Sequence, residues 1–283
     1  MVEPGLRSTY IKHAYDFYKP DLTSEYPIVD GHYSLKCYTE ALEQCYSGYH
    51  KREAQLKKQQ MAQGMTNGVH AEPETTLDKF DHMCFHSPTC KTVAKSYSRL
   101  LYCDYREDTG NPMFEPVPAE IKDMPYEQSI SDKSVEKAFA ALAKKRYTAR
   151  VLPSMQVATM CGNMYCASVY SSLVSLLCNI SSEDMQGKRI GMFSYGSGLA
   201  ASMFSLKVKG STEEIRRKVD LQRRLDDRRT VAPEVYDKMC NLRERAHLKN
   251  DYTPKGDAAT IAPGTYYLTE VDKMFRRSYE IKQ

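Results

Sequence analysis

An apolar run that ends in a histidine and passes directly into a Ser-Pro pair constrains the fold of this chain more than any other stretch. Met83-Cys84-Phe85 predicts a short buried strand, and His86 follows at the point where a sheet meets loops and solvent. We expect a helix to begin at Pro88, because proline suits the first turn of a helix. This arrangement places an imidazole, which titrates near neutral pH, beside a helix N-terminus that attracts anions and carbonyl oxygens.

Two lysines continue this pattern into the helix. Lys91 and Lys95 are four residues apart, so they share one helical face and are suited to holding phosphates. Two plainer interpretations stay open, since a lone histidine is often structural and two lysines on a helix often form a solvated face. The stretch therefore predicts a binding or catalytic site.

Composition limits the class of protein. The 283 residues, 41% of them hydrophobic, allow one large domain or two modest ones, and a net charge of +4 is too small for a dedicated nucleic-acid binder. The basic runs 51–58 and 216–229 are best explained as solvent-exposed surface, and a basic interaction module is the weaker alternative. No run is long and apolar enough for a membrane span. Nine cysteines without a CxxC pair, and no apolar signal segment, indicate a reducing compartment.

The remaining patterns predict an α/β protein with a mixed sheet. We expect residues 1–33 to form an ordered loop packed by aromatic rings, without an opening strand, followed by a helix from Ser34, its N-cap, to about Gln63. Loop insertions are predicted at about 64–75 and 104–132. Further helices are predicted at 134–145, 164–178, 212–226 and 233–247, a strand pair around 190–206, and a closing hairpin at 264–279.

Two turns are candidate binding elements. Gly162 and Asn163 suit a tight turn at the entrance of the helix that follows, although asparagine after glycine is also a routine turn residue. The turn around Ser197, flanked by Gly196 and Gly198, can present backbone N–H groups and a hydroxyl to a carbonyl or phosphate oxygen. A simple hairpin turn between core strands is the alternative.

Taken together, these stretches resemble the C-terminal part of hydroxymethylglutaryl-CoA synthase, a family of the thiolase superfamily. The matching motifs run in the family's order from end to end of the chain. They are His13-Ala14-Tyr15-Asp16-Phe17-Tyr18-Lys19-Pro20, Ser24-Glu25-Tyr26-Pro27-Ile28-Val29-Asp30-Gly31, Phe85-His86-Ser87-Pro88 with Cys90-Lys91, Gly162-Asn163-Met164-Tyr165, Phe193-Ser194-Tyr195-Gly196-Ser197-Gly198-Leu199-Ala200-Ala201 and Gly264-Thr265-Tyr266-Tyr267-Leu268.

The resemblance implies an α/β fold, the C-terminal half of a thiolase-like fold, with helical and loop insertions. It also implies a reaction in which acetyl-CoA acetylates a cysteine, a glutamate takes a proton from the acetyl group, the carbanion attacks acetoacetyl-CoA, and water releases hydroxymethylglutaryl-CoA. His86 corresponds to the acid that polarises the acetoacetyl carbonyl. The expected substrate and CoA contacts are Asn163, Ser197, Ser34, Lys91 and Lys95, with Asp16 and Tyr165 lining the site.

The cysteine and glutamate of that reaction belong to an N-terminal half whose Gly-rich cysteine motif is absent from residues 1–283. We therefore expect this chain to be inactive alone and to supply the acetoacetyl-CoA-binding half. A non-catalytic fragment that binds CoA esters or a partner is the alternative. The resemblance implies CoA thioesters as substrates, with no other cofactor and no metal. It also implies a homodimer in the complete enzyme, without nucleic-acid or membrane partners, in the cytoplasm or alternatively the mitochondrion.

Overall fold

The structure is a computed structural model that describes residues 1–63 and 74–283, so most of the predicted loop at 64–75 lies outside the described residues. The chain divides into two compact units. The first comprises Met1–Phe17 and Val29–Asp227, and the second comprises Tyr18–Ile28 and Arg228–Gln283.

The elements follow one another in mixed order. The strands are β1 (Val2–Ile11), β2 (Phe17–Tyr18), β3 (Ile28–Val29), β4 (His82–Phe85), β5 (Arg189–Gly196), β6 (Ala200–Lys207), β7 (Tyr266–Val271) and β8 (Arg277–Ile281). The helices are α1 (Gly31–Ala62), α2 (Cys90–Glu107), α3 (Ala119–Lys122), α4 (Tyr126–Ser129), α5 (Lys133–Arg150), α6 (Gln156–Cys161), α7 (Ser168–Asn179), α8 (Glu213–Val219), α9 (Leu221–Asp226) and α10 (Pro233–Ala246). Short 3-10 helices, among them Thr76–Lys79, connect several of them.

A mixed sheet organises the first unit. Within the described residues its strand order is β1-β6-β5-β4, with β4 parallel to β5 and the other two pairs antiparallel. Because side chains alternate along a strand, Phe85 and Phe193 face the core formed with α1 and α2, whereas Cys84 and Met192 face the core formed with α7. The predicted α/β fold with a mixed sheet between helices is confirmed.

The second unit contains α10 and the antiparallel pair β7–β8. This pair confirms the predicted closing hairpin. None of the described helices combines the length and the apolar character that crossing a membrane requires.

The N-terminal segment departs from the prediction. Residues 2–11 form β1, which pairs with β6 from Arg7–Phe204 to Ile11–Ala200, whereas we expected a loop throughout 1–33. The alternation of side chains typical of a strand is interrupted here, because the register of pairing shifts between Val2 and Arg7. Gly5, which lies in this irregular part, adopts φ +76°, a conformation that glycine tolerates best. The opening strand is therefore present, with an irregularity that breaks its alternation.

Two helix starts also differ from the prediction. Asp30, not Ser34, caps α1, because its Oδ1 accepts a hydrogen bond from the Tyr33 N–H at 3.0 Å. Thr89 caps α2 in the same way, with its hydroxyl accepting from the Thr92 N–H at 3.1 Å. Pro88 therefore precedes the cap. The prediction that it lies in the first turn of the helix was wrong.

Other boundaries shift less. The helix α2 continues to Glu107, so the predicted loop 104–132 starts late and contains α3 and α4. The helix predicted over 212–226 divides into α8 and α9 at Asp220, which adopts φ +43°. The helix predicted from Met164 begins at Ser168, after a 3-10 turn.

A buried carboxyl group in the first unit leads to a pH prediction. Asp104 is 5% exposed and accepts hydrogen bonds from the Tyr46 hydroxyl and the Leu77 N–H, both at 2.7 Å. Burial raises its pKa to about 6, and these hydrogen bonds only partly oppose the rise. At pH values between the pKa of Asp104 in the unfolded chain and its pKa of about 6 in the folded chain, only the unfolded chain has released the proton. The contribution of Asp104 to stability therefore decreases as pH rises through this window.

The size of this contribution should be measurable by urea unfolding at pH 4 and pH 7.5. We expect Asp104→Asn to be less stable than the wild type at pH 4, because one acceptor is lost, and to gain about 2–3 kcal/mol relative to the wild type by pH 7.5. Glu107→Gln, an exposed change on the same helix, is the control. Parallel pH profiles for the wild type and Asp104→Asn would contradict the prediction.

Candidate functional site

His86 lies directly after β4, at the carboxyl end of the parallel pair β4–β5. Its backbone N–H donates to the Phe193 carbonyl at 2.8 Å, which extends the sheet pairing by one residue. The side chain is half-buried, and burial lowers its pKa below the usual value. Burial therefore favours the neutral form of the ring, in which one nitrogen can donate a hydrogen bond and the other can accept one.

Two tyrosines hold His86 in place. The Tyr195 ring lies stacked at 6.2 Å from the imidazole, with 30° between the planes. The Tyr38 hydroxyl, from α1, donates to the His86 carbonyl at 2.8 Å, and the Tyr38 ring lies 4.9 Å from that of Tyr195. Because both tyrosines are buried, their packing restricts where the histidine ring can go.

Asp16 connects this cluster to the Gly-Ser-Gly turn. Its side chain is fully buried, and its two oxygens accept hydrogen bonds from the Gly198 N–H at 3.0 Å and the Tyr195 hydroxyl at 3.2 Å. Ser197 lies in the same turn and is exposed. The structure thus links three predicted site residues, Asp16, His86 and Ser197, through Tyr195 at one edge of the sheet.

Asn163 and Tyr165 lie in the exposed loop between α6 and α7. Gly162 ends α6 with φ +75°, and the Asn163 Oδ1 then accepts from the Tyr165 N–H at 2.8 Å, as in an Asx turn. The loop leads into α7, whose first residue, Ser168, accepts a hydrogen bond from the Ser87 N–H at 3.2 Å. This hydrogen bond joins the start of α7, and not Asn163 itself, to the residue after His86, while the Asn163 amide oxygen is used within its own loop.

The two lysines and Ser34 lie around the helices that cover the sheet. Ser34 is in the first turn of α1, four residues before Tyr38. A cavity of about 360 Å³ between α1, α2 and α5 is lined by both Tyr38 and Lys95. The Lys95 Nζ lies 2.6 Å from the Glu136 Oε2 of α5, whereas Lys91, one turn earlier, is exposed. The cavity is therefore shared by α2, the helix predicted to contact CoA, and by Tyr38, which contacts His86.

Sequence reasoning missed Tyr38 and Tyr195 as supports of the site. A signal was available for Tyr195, since it lies two residues before Ser197 and, by strand alternation, on the same face as Phe193. For Tyr38 the signal was weaker, because the α1 pattern marks it only as one of several buried residues. Within residues 1–63 and 74–283, no group of three histidine, cysteine or acidic side chains is placed to hold a metal ion.

Comparison with known proteins identifies similar chains. Residues 1–282 match the family model described as hydroxymethylglutaryl-coenzyme A synthase C terminal. A hydroxymethylglutaryl-CoA synthase of Zymoseptoria tritici is 67% identical over 283 residues, which are 100% of this chain and 61% of that protein. One from Saccharomyces cerevisiae is 45% identical over 289 residues, covering 100% of this chain and 56% of that protein. The chain thus spans about three fifths of the length of these relatives.

Solved structures give the same result for the fold. MvaS in complex with 3-hydroxy-3-methylglutaryl coenzyme A superposes with a TM-score of 0.74 and 29% identity, covering 100% of this chain and 58% of that one. PksG, an HMG-CoA synthase from Bacillus subtilis, gives a TM-score of 0.67 at 19% identity, covering 100% of this chain and 58% of that one. The second likeness concerns the fold alone. Together they confirm the predicted C-terminal half of a thiolase-like fold.

Proposed function

Because this chain belongs to the hydroxymethylglutaryl-CoA synthase family, whose C-terminal model matches residues 1–282, we propose that it supplies the acetoacetyl-CoA-binding half of that enzyme. The complete reaction condenses acetyl-CoA with acetoacetyl-CoA. In this proposal the cysteine and glutamate of the acetylation step come from the part of the relatives that this chain does not cover.

The observation that carries the proposal is the cluster centred on Tyr195. It joins His86 to the Gly-Ser-Gly turn through the buried carboxylate of Asp16. When the acetyl carbanion attacks the acetoacetyl ketone, the carbonyl oxygen gains negative charge. A positioned N–H of His86 stabilises that charge, and the protonated ring then passes this proton to the alkoxide, which yields the tertiary alcohol and a neutral imidazole. Ser197 and Asn163 are the proposed contacts to the thioester.

The cavity beside α1 supports the binding part of this proposal. Its lining combines apolar side chains such as Leu35, Leu42 and Phe139 with polar groups near Lys95, a composition suited to a CoA arm that is partly apolar and partly amide. Tyr38, whose hydroxyl donates to the His86 carbonyl, and Lys95, a predicted CoA contact, both line it. In this proposal the acyl end of the CoA ester lies towards Tyr38.

A chimeric enzyme tests the function. The part of the Zymoseptoria tritici relative that precedes its match to this chain would be joined to residues 1–283, and the condensation of acetyl-CoA with acetoacetyl-CoA would be followed. We expect condensation by the chimera and none by the isolated chain. A folded chimera that forms acetyl-cysteine but does not condense would favour the alternative, a non-catalytic module that binds CoA esters.

The family resemblance supports two further parts of the proposal. We place the complete enzyme in the cytoplasm, with the mitochondrion as the alternative, and assign it a homodimeric state. Sedimentation of the chimera at micromolar concentration would measure the second of these, and a monomer would contradict it.

A further inference from the structure

The strand β4, which leads into His86, is an outer strand of the sheet in the part of the chain that the structure describes. Along a strand, the backbone N–H and C=O groups of successive residues point alternately to one side and the other. The His86 N–H donates to the Phe193 carbonyl of β5. The carbonyl of the preceding residue, Phe85, therefore points to the side of β4 that has no neighbouring strand. Because Phe85 is fully buried, this carbonyl needs a hydrogen-bond partner from another element.

Two buried serines of α7 supply hydrogen bonds on this side of β4. The Ser172 hydroxyl donates to the Phe85 carbonyl at 3.1 Å. The Ser168 hydroxyl, one helical turn earlier, accepts from the Ser87 N–H at 3.2 Å. Both serines are 1% exposed, so these hydrogen bonds are shielded from water. The start of α7 therefore holds the residue before His86 and the residue after it.

These hydrogen bonds complete the contacts of the backbone around His86. Its own N–H and C=O groups bond to Phe193 and Tyr38, whereas the carbonyl before it and the N–H after it bond to α7. With all four groups held, rotation of the backbone at His86 is restricted, and so is the direction of its side chain. Misplacing a reacting group by about 1 Å can cost about 100-fold in rate, so this restriction matters for a proton donor.

We propose that Ser168 is a positioning residue for His86 and that Ser172 assists it. The proposal rests on the proposed function, because it concerns the histidine that donates to the acetoacetyl oxygen. Asn163 lies five residues before Ser168, in the loop that leads into α7. Ser168 therefore fixes the start of α7 relative to His86, and with it the point at which the loop of the proposed thioester contact ends.

Replacing each serine by alanine in the chimeric enzyme tests the proposal. We expect Ser168→Ala to lower kcat for condensation about 10-fold, with KM for acetoacetyl-CoA and the rate of acetyl-cysteine formation each changed less than 3-fold. Ser172→Ala should lower kcat only about 3-fold, because the Phe85 carbonyl keeps a second hydrogen bond, from the Ser87 hydroxyl at 3.0 Å. An unchanged kcat in both variants would overturn the proposal.

Ser175 provides the matched control on the same helix. It is fully buried, and its hydroxyl accepts from the Val157 N–H at 3.1 Å, away from β4. Ser175→Ala removes the same group from the same environment, so it should lower the melting temperature about as much as Ser168→Ala while changing kcat less than 2-fold. A loss of kcat in Ser175→Ala as large as that in Ser168→Ala would reduce Ser168 to a purely structural role and overturn the proposal.

A double-mutant cycle shows whether Ser168 acts through the histidine. In a His86→Ala background, Ser168→Ala should lower the residual condensation rate less than 2-fold, because the group that it positions is already gone. The same 10-fold loss with and without His86 would overturn the assignment. If Ser168→Ala does not fold, the same cycle with Ser172→Ala replaces it, with an expected loss of about 3-fold that disappears in the His86→Ala background.

Histidine NMR of the full chain separates this inference from the proposed function, because it needs no turnover. The ring signals of His86, assigned by their loss in His86→Ala, should shift in Ser168→Ala and stay in place in Ser175→Ala. Unchanged His86 signals in folded Ser168→Ala would overturn the positioning role and leave the proposed function standing. Shifted signals together with a wild-type chimera that does not condense would support the contact between α7 and His86 and overturn the proposed function.

Discussion

Replacing His86 by alanine in the chimeric enzyme should reduce condensation by about 10³-fold while changing the rate of acetyl-cysteine formation by no more than a few fold. The large effect is expected because the ring is the proposed donor to the oxygen that becomes negative during carbon–carbon bond formation. In the proposed function, acetylation of the cysteine uses groups from the part of the relatives that this chain does not cover, so it should proceed almost normally.

The two steps can be measured separately. Mass spectrometry after mixing with acetyl-CoA gives the rate of acetyl-cysteine formation, and loss of acetoacetyl-CoA absorbance gives the rate of condensation. His86→Gln is the conservative variant, because its amide retains a hydrogen-bond donor without an acidic proton to transfer. It should be intermediate between wild type and His86→Ala. An equal loss of both steps in His86→Ala would contradict the assigned role.

The position of His86 could be predicted from the sequence because it depends on local pattern. An apolar run predicts the strand, and the first polar residue after it must lie at the sheet edge. The pair β5–β6 was predictable for the same reason, since its two strands are joined by a short glycine-containing turn. Helix α5 was also predictable, because Val135 and Phe139 repeat at helical spacing.

The remaining features depend on contacts between distant parts of the chain. Tyr38 lies 48 residues from His86 and Asp16 lies 179 residues from Tyr195, so no local window contains either pair. Strand β1 forms because β6 is available to pair with it, despite Pro4 and Gly5 in its own sequence.

Replacement of Arg189 should strongly destabilise the first unit. Its Nε and Nη2 donate to the two carboxylate oxygens of Glu3 at 2.7 and 2.8 Å, and its Nη1 donates to the Glu53 Oε1 at 2.9 Å. Lys79 contacts the other Glu53 oxygen at 2.8 Å. One guanidinium thus joins β5 to β1 and α1. The Glu53 side chain is only 7% exposed, so its ion pair with Arg189 is largely shielded from solvent.

Arg189→Met should lower the free energy of unfolding by about 3–5 kcal/mol at pH 7, because two partly buried carboxylates then lose a shared cation. Burial opposes the ionisation of Glu3 and Glu53, yet the hydrogen bonds and charges around them hold both pKa values below the usual range. Without Arg189 these pKa values rise, so the cost is largest at neutral pH and decreases towards about pH 4, where protonation removes the unpaired charge.

Urea unfolding at pH 7 and pH 4 measures this cost. Arg52→Met is the matched control, because Arg52 is exposed and adjacent to Glu53 on α1, and it should change stability by less than about 0.5 kcal/mol. Adding Glu3→Gln to Arg189→Met should recover part of the loss. A loss below about 1 kcal/mol at pH 7, or one of equal size at both pH values, would contradict the electrostatic explanation.

This prediction also separates stability from function. Arg189 begins β5, whereas Tyr195 and the Gly-Ser-Gly turn lie at its other end, so the ion network and the His86 cluster occupy opposite edges of the sheet. Arg189→Met should therefore bind acetoacetyl-CoA with wild-type affinity under conditions where it is folded. If the folded variant lost affinity, the two edges would be energetically coupled along β5, and Arg189 would have to be counted among the residues that position the site.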